Sequence, residues 1–227
     1  VQPYTFAALL IMFTTFLVAV FYCLDALHGE RRDRSILFWK SLPVSDLTTV
    51  LSKATIPLMV LPVISFAIVI CVQVIMLLMT SMVLIFHGMS PATTWVAFPV
   101  FQNWLVLLYG LVAIALWHLP IYGWLLLVSG WARRATFLWA VLPLLAIGIL
   151  EKIAFNTSYF ASMVKHRLLG FAPGAFDFQA HTRSTIDSLA QLTPGKYLST
   201  PGLWIGLFVA AAFLAGAVRL RRYRGPI

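Results

Sequence analysis

The sequence predicts an all-α polytopic membrane protein, and three observations carry that prediction. Of 227 residues, 61% are hydrophobic and only 10% are charged, and the mean hydropathy is +0.93. A soluble domain carries roughly 25% charged and about 45–50% apolar residues, so a soluble fold of this length could not bury the apolar surface present here. Disordered chains are poor in the aromatics and aliphatics that abound here. The apolar stretches are continuous rather than alternating, which excludes a transmembrane barrel and selects helices. At this length the chain is a single membrane domain over residues 1–227, without room for a soluble catalytic domain.

Charge-free stretches mark the spans in order. Nothing from Val1 to Leu24 is charged, which gives a first span at about 4–27. A charged segment, 28–53, follows with Arg31, Arg32, Arg34, Lys40 and Lys53. Residues 54–132 again lack Lys, Arg, Asp and Glu, enough for two spans, with the break where Gly88, Ser90, Pro91, Thr93, Thr94 and Pro99 gather. These spans fall at about 56–86 and 104–129. Arg133 and Arg134 precede a fourth span at about 135–150. After the polar region 151–201, a last span at about 202–218 ends in Arg219, Arg221, Arg222 and Arg224. Residues 54–86 would measure about 50 Å as a straight helix, against a hydrocarbon core of about 30 Å. Pro57 and Pro62 are the expected kink points, and Pro120 and Pro143 could bend the third and fourth spans.

With five spans, the three dense basic segments fall on one side, which the positive-inside bias makes cytoplasmic. Region 151–201 is then external, and so is Val1. An external start without a signal peptide leads us to expect an upstream part with at least one more span, six in all. The expected location is the inner (cytoplasmic) membrane. The net charge of +9 belongs to these flanks and to lipid phosphates rather than to nucleic acid, since there is no soluble basic domain. Cys23 and Cys71 lie inside apolar spans and read as packing residues.

Segment 28–53 is the most informative. The first span is expected to run on into the cytoplasm as a helix, with Glu30 and Arg34 as an i,i+4 pair. Ile36, Leu37, Phe38 and Trp39 place bulky apolar groups beyond the span. Pro43 interrupts, and Ser45 is a good N-cap for a new helix. Leu47, Val50, Leu51 and Ala54 recur at i, i+3, i+4 and i+7, giving that helix one apolar face. One reading is an interfacial helix among lipid headgroups.

The same residues also resemble the permease subunits of type-2 ABC transporters, mostly bacterial exporters. In that family a Glu-Arg pair follows a span, then a Ser-Leu-Pro-Val-Ser-like segment, then a helix reaching a Lys at the next span. Here those are Glu30–Arg31, Ser41-Leu42-Pro43-Val44-Ser45 and Lys53. The family's long external segment before the final span also matches 151–201; its cytoplasmic amphipathic helix and first span have no counterpart here. The resemblance implies that loop 28–53 is a coupling helix seated on a separate ATPase subunit. Glu30, Arg31, Asp33 and Arg34 would supply polar contacts and Trp39, Leu42 and Val44 apolar ones, with Pro43 and Ser45 shaping the turn. It further implies two ATPase subunits holding ATP and Mg, and two permease chains, either a homodimer or this chain with a similar one.

The chain itself lacks the Gly-rich loop ending in Lys-Ser or Lys-Thr that cradles phosphates, so ATP hydrolysis would belong to a partner. Its histidines and cysteines have no metal-ligand spacing, and no cofactor is expected on this chain. No carboxylate lies between Asp46 and Glu151, which leaves few groups for acid/base chemistry or proton-coupled transport. Polar side chains available to a pathway are Gln73, Gln102, Asn103, Tyr109, His118 and Tyr122, with Thr80, Ser81 and Ser129. An uncharged, aromatic-rich lining of this kind suits an amphipathic or hydrophobic cargo. In the external region, 159–171 and 185–192 are expected to form short helices, either interfacial or capping the exit. The alternatives to transport are a non-transporting membrane scaffold that uses the same loop and, more weakly, an intramembrane enzyme built on His118.

Overall fold

The computed structural model describes residues 2–97, 99–177 and 189–225. Among these residues the chain is helical, and its only β pairing is an isolated bridge between Phe176 and Leu192. The elements in order are α1 (Gln2–Ala26), α2 (His28–Arg32), α3 (Ser35–Ser41), α4 (Asp46–Thr55), a π-helical turn (Ile56–Val60) and α5 (Leu61–Phe86). They continue with α6 (Ala92–Ala97), α7 (Val100–Trp131), α8 (Thr136–Phe155), α9 (Tyr159–Leu169) and α10 (Ala172–Ala175). After a 3-10 turn (Leu189–Gln191) come α11 (Pro194–Ser199) and α12 (Pro201–Tyr223).

Five segments are long and apolar enough to cross a membrane: Phe6–Arg32, Asp46–Phe86, Val100–Trp131, Thr136–Phe155 and Pro201–Tyr223. This is the architecture of a multi-pass membrane protein. Each expected span has its helix, but the helices outrun the charge-free stretches. Lys53, Glu151 and Lys152 all sit in helical turns continuous with a span, because a helix does not stop where the hydrocarbon does.

The most buried span, α7, is the axis of the bundle. Its small residues let neighbours approach closely, as is usual where lipid supplies no hydrophobic force between helices. A Cβ at Gly123 would stand 3.3 Å from the carbonyl oxygen of Ala210, and one at Gly130 would stand 3.7 Å from Leu220 Cβ. Gly202 lies against Trp117 in the same way, so α12 runs parallel to α7 along this seam. On the other side, Cys23, Leu24 and Ala26 of α1 join Tyr122, Leu125, Leu126 and Val128 of α7 in the largest core cluster.

Polar ties fix the remaining helices. Thr15 and Ser65 share a hydroxyl–hydroxyl hydrogen bond of 2.6 Å between α1 and α5. Trp124 Nε1 donates to Ala140 O of α8. At the expected kink, Pro57 lies in the π-turn and Pro62 in the first turn of α5 directly after it; prolines and π-turns both bend helices. Pro120 and Pro143, by contrast, remain inside continuous helices.

After α8 the chain reverses. Glu151 Oε1 accepts from Thr157 Oγ1 and from the backbone N–H of Tyr159, and its Oε2 from the N–H of Phe160. A carboxylate one helix earlier therefore caps α9 and turns it back along α8, with Phe160 beside Gly148. The helix expected at 159–171 is thus α9, ending at Leu169. Of the segment 185–192, residues 185–188 lie outside the described residues and 189–191 form a single 3-10 turn. Helix α11 was not foreseen; its Tyr197 hydroxyl donates to Ala113 O at 2.7 Å and docks this region on the N-terminal half of α7.

Candidate coupling surface and polar interior

Segments 28–53, 129–134 and 219–225, which carry the dense basic charge, meet at one end of the bundle. The first tie is Ser129, whose hydroxyl accepts from the N–H groups of both Leu27 and His28, at 3.0 and 2.9 Å. Those two donors are thereby satisfied outside the helix, and the chain turns between α1 and α2. Ser129, a candidate pathway group in the sequence, is occupied by this joint.

Arg31 folds inward. Its Nη1 donates to Gly130 O and Ala132 O, at 2.9 and 3.2 Å, and its Nε to Gly225 O at 3.2 Å. Arg224 Nη1 donates to Trp131 O. Two guanidinium groups thus occupy the C-terminal end of α7, where free carbonyls and the helix dipole favour a cation. Lys40 does the same for α12, reaching Arg222 O and Arg224 O at 3.4 and 3.3 Å.

Glu30 is the centre of a four-charge network. Its carboxylate pairs with Lys53 Nζ at 2.9 Å and with Arg221 Nη2 at 3.2 Å, while Arg221 Nη1 reaches Asp46 Oδ1 at 3.0 Å. The Arg221 and Glu30 side chains are only 4% and 11% exposed. Two acids and two bases cancel, which is the condition under which charges tolerate burial. The pair expected between Glu30 and Arg34 does not form. Arg34 takes a left-handed backbone conformation (φ 59°) between α2 and α3, so it leaves the helical spacing, and Glu30 has nearer cations on α4 and α12.

What remains outside is apolar. Ile36 is buried, whereas Leu37, Phe38, Trp39, Val44 and Leu47 are exposed, Phe38 by 62%. Phe38 and Trp39 meet edge to face at 5.7 Å. Leu42 is half-buried, and Pro43 and Ser45 are exposed. Ser45 caps α4, accepting from Thr48 N at 3.0 Å. Asp33 and Arg34 are exposed, and Asp33 pairs with Arg32 at 3.1 Å. The apolar face expected on α4 divides in two: Val50 and Ala54 are buried against the bundle, while Leu47 and Leu51 point away, because the helix is packed along one narrow edge. Of the residues predicted to contact a partner, Trp39, Val44, Asp33 and Arg34 are therefore accessible, while Glu30 and Arg31 tie the loop to α4, α7 and α12.

The candidate pathway residues occupy separate places. Gln73 accepts from Trp104 Nε1 at 3.0 Å, between α5 and α7. Gln102 is exposed and Asn103 half-buried near the start of α7. Tyr109 stacks edge-on against Phe176, and its buried hydroxyl has no hydrogen-bond partner among the described residues. Tyr122 borders a cavity of about 40 Å3 between α1, α5 and α7. His118 lies within hydrogen-bond distance of two carbonyls, Nδ1 of Ile114 O at 2.9 Å and Nε2 of Leu168 O at 3.1 Å. A neutral ring can donate to only one of them at a time, and its tautomer decides which. Of these residues, Tyr122 alone lines that cavity. Among the described residues, no three of His, Cys, Asp and Glu lie together as metal ligands would.

Beside His118 sits a residue the sequence reading passed over. Arg167 lies over the Trp117 ring at 4.6 Å from its centroid and donates to Gly202 O at 3.1 Å. Burial lowers its pKa from the ordinary guanidinium value. Nearby, burial pushes the Tyr197 phenol up to about 12, which keeps it a donor to Ala113 across the physiological range. No sequence signal marks this seat, because Trp117, Gly202 and Gly206 come together around Arg167 only in the fold. Comparison of the chain with protein-family models, curated proteins and solved structures yields no match.

Proposed function

We propose that this chain is the transmembrane subunit of an ATP-driven ABC exporter of the type-2 permease class, in the inner membrane, coupled to separate ATPase subunits through loop 28–53. The observation that carries the reading is an exposed apolar surface at the basic end, around Phe38, Trp39, Val44 and Leu47, held by buried polar ties to two spans. A loop that only rests on headgroups has no need of such ties; one that receives force does. ATP and Mg would sit on two partner subunits, and two permease chains, identical or similar, would enclose the path between them. Closure of the ATPase pair would press on α3 and α4, and Arg31 and Glu30 would pass the displacement to α7 and α12 as rigid elements. The cargo best suited to this interior is amphipathic or hydrophobic.

Because Glu30 and Arg31 bond inward, the discriminating substitutions lie at the exposed surface. Native mass spectrometry of the chain co-expressed with its candidate ATPase is expected to give a two-plus-two complex. The double variant Trp39→Ala/Val44→Asp should weaken it at least about tenfold, as expected where a central aromatic anchor is lost. A wild-type chain that never retains an ATPase would overturn the reading, as would an unweakened variant. Cargo-dependent ATP turnover by the complex separates transport from a scaffolding role.

A further inference from the structure

A groove of about 550 Å3 runs between α8 and α9, inside the ~300–1,000 Å3 range of small-molecule sites. Leu145, Gly148 and Lys152 line it from α8 at i, i+3 and i+7, and Val164, Lys165 and Leu168 face them from α9. Apart from the two lysines, its walls are apolar. Gly148 opens its middle: even with a Cβ there, the nearest atom would be Phe160 Cδ1 at 4.0 Å.

The charge of the groove is uncompensated. Among the described residues no carboxylate pairs with Lys152 or Lys165. Among the described residues, the one hydrogen bond of Lys152 Nζ is a long contact to Asn156 O, at 3.5 Å. Glu151, the acid adjacent in sequence, has both oxygens engaged by Thr157, Tyr159 and Phe160 in capping α9. Two ammonium groups over an apolar trough, one on the span α8 and one on α9, match an amphiphile with a negative head. Ammonium groups bind phosphate as point charges, and helices of this kind otherwise exclude charge.

We propose that an anionic phospholipid of the surrounding membrane occupies the α8–α9 groove, with its acyl chain along Leu145, Gly148, Val164 and Leu168 and its phosphate held by Lys152 and Lys165. A zwitterionic lipid brings its own amine and leaves the two lysines uncompensated, so the site discriminates by net charge. The bound lipid joins α9 to α8 along the face that protein packing leaves open. This inference is independent of any ATPase partner and rests only on the membrane-spanning architecture.

The test is native mass spectrometry of the purified chain with phosphatidylglycerol or phosphatidylcholine of identical acyl chains. Wild type should retain the anionic lipid at least about tenfold more strongly. Lys152→Gln/Lys165→Gln should lose that preference, and Gly148→Leu, which fills the trough and keeps both lysines, should lose the lipid itself. The substituted positions Lys152 and Lys165 are exposed, and leucine is a better helix former than glycine, so thermal midpoints should stay near wild type. Equal retention of the two lipids by wild type overturns the proposal. So does an undiminished preference in the double variant, or displacement of the lipid by inorganic phosphate alone.

Discussion

Glu30 and Asp33 lie three residues apart in the same basic segment, yet their environments give them opposite weight. Asp33 pairs with Arg32 in the open, where both side chains are more than half exposed. Such pairs contribute about 0–1 kcal/mol. Glu30 is enclosed between Lys53 and Arg221, and removing its charge takes the carboxylate from Lys53 and leaves Arg221 paired with Asp46. Breaking a buried pair from one side costs about 3–5 kcal/mol, and the partial exposure of Lys53 and Asp46 places Glu30→Gln near the lower end. The expected outcome is a clear fall in the thermal midpoint of the detergent-solubilised chain for Glu30→Gln. Asp33→Asn should fall within about 0.5 kcal/mol of wild type. Equal effects from the two substitutions would mean that the four-charge network does not hold the loop to α12.

At the scale of elements, α9 is held by few contacts and so exposes its own determinants. Its start is capped by Glu151, its outer face is exposed, and its inner end is fixed by the His118–Leu168 and Arg167–Gly202 hydrogen bonds. His118→Leu removes the first of these and leaves the Leu168 carbonyl without its side-chain donor, a loss of about 1–3 kcal/mol where the group stays buried. Hydrogen exchange should then rise in 159–169 and leave the α7–α12 seam unchanged; unaltered exchange in α9 would show that His118 does not anchor it. The sequence made α9 legible because an apolar side recurs at helical spacing. Its direction was not legible, since that depends on Glu151 reaching eight and nine residues ahead, and no local pattern encodes so long a cap. The inward turn of Arg31 and Arg221 was hidden for a related reason: a basic residue flanking a span looks the same whether it faces lipid phosphate or a helix C-terminus. The five spans, by contrast, follow from the absence of charge alone.

At the scale of the whole molecule, the bundle is electrically one-sided. Segments 28–53, 129–134 and 219–225 are widely separated in the chain, yet they are bonded to one another at one end through Ser129, Arg31, Lys40, Arg221 and Arg224. The opposite end holds the turn around Gly88, the start of α7 and the reversal at Asn156. A bilayer with anionic lipid on its inner face attracts the basic end, and translocation of so many clustered cations across the membrane is disfavoured. The basic end is therefore expected to face the cytoplasm. Single cysteines at exposed positions read this directly, in a background with Cys23 and Cys71 replaced. A membrane-impermeant maleimide should label Ser90→Cys and Asn156→Cys on intact cells, and Ser41→Cys and Arg134→Cys only after permeabilisation. The reverse pattern would put the apolar surface around Trp39 outside the cell, away from any nucleotide, and would end the ATPase-coupling proposal without disturbing the fold. Labelling of Ser41→Cys and Arg134→Cys from opposite sides would instead break the bonded end itself, since Arg31 cannot reach Gly130 and Ala132 across a membrane.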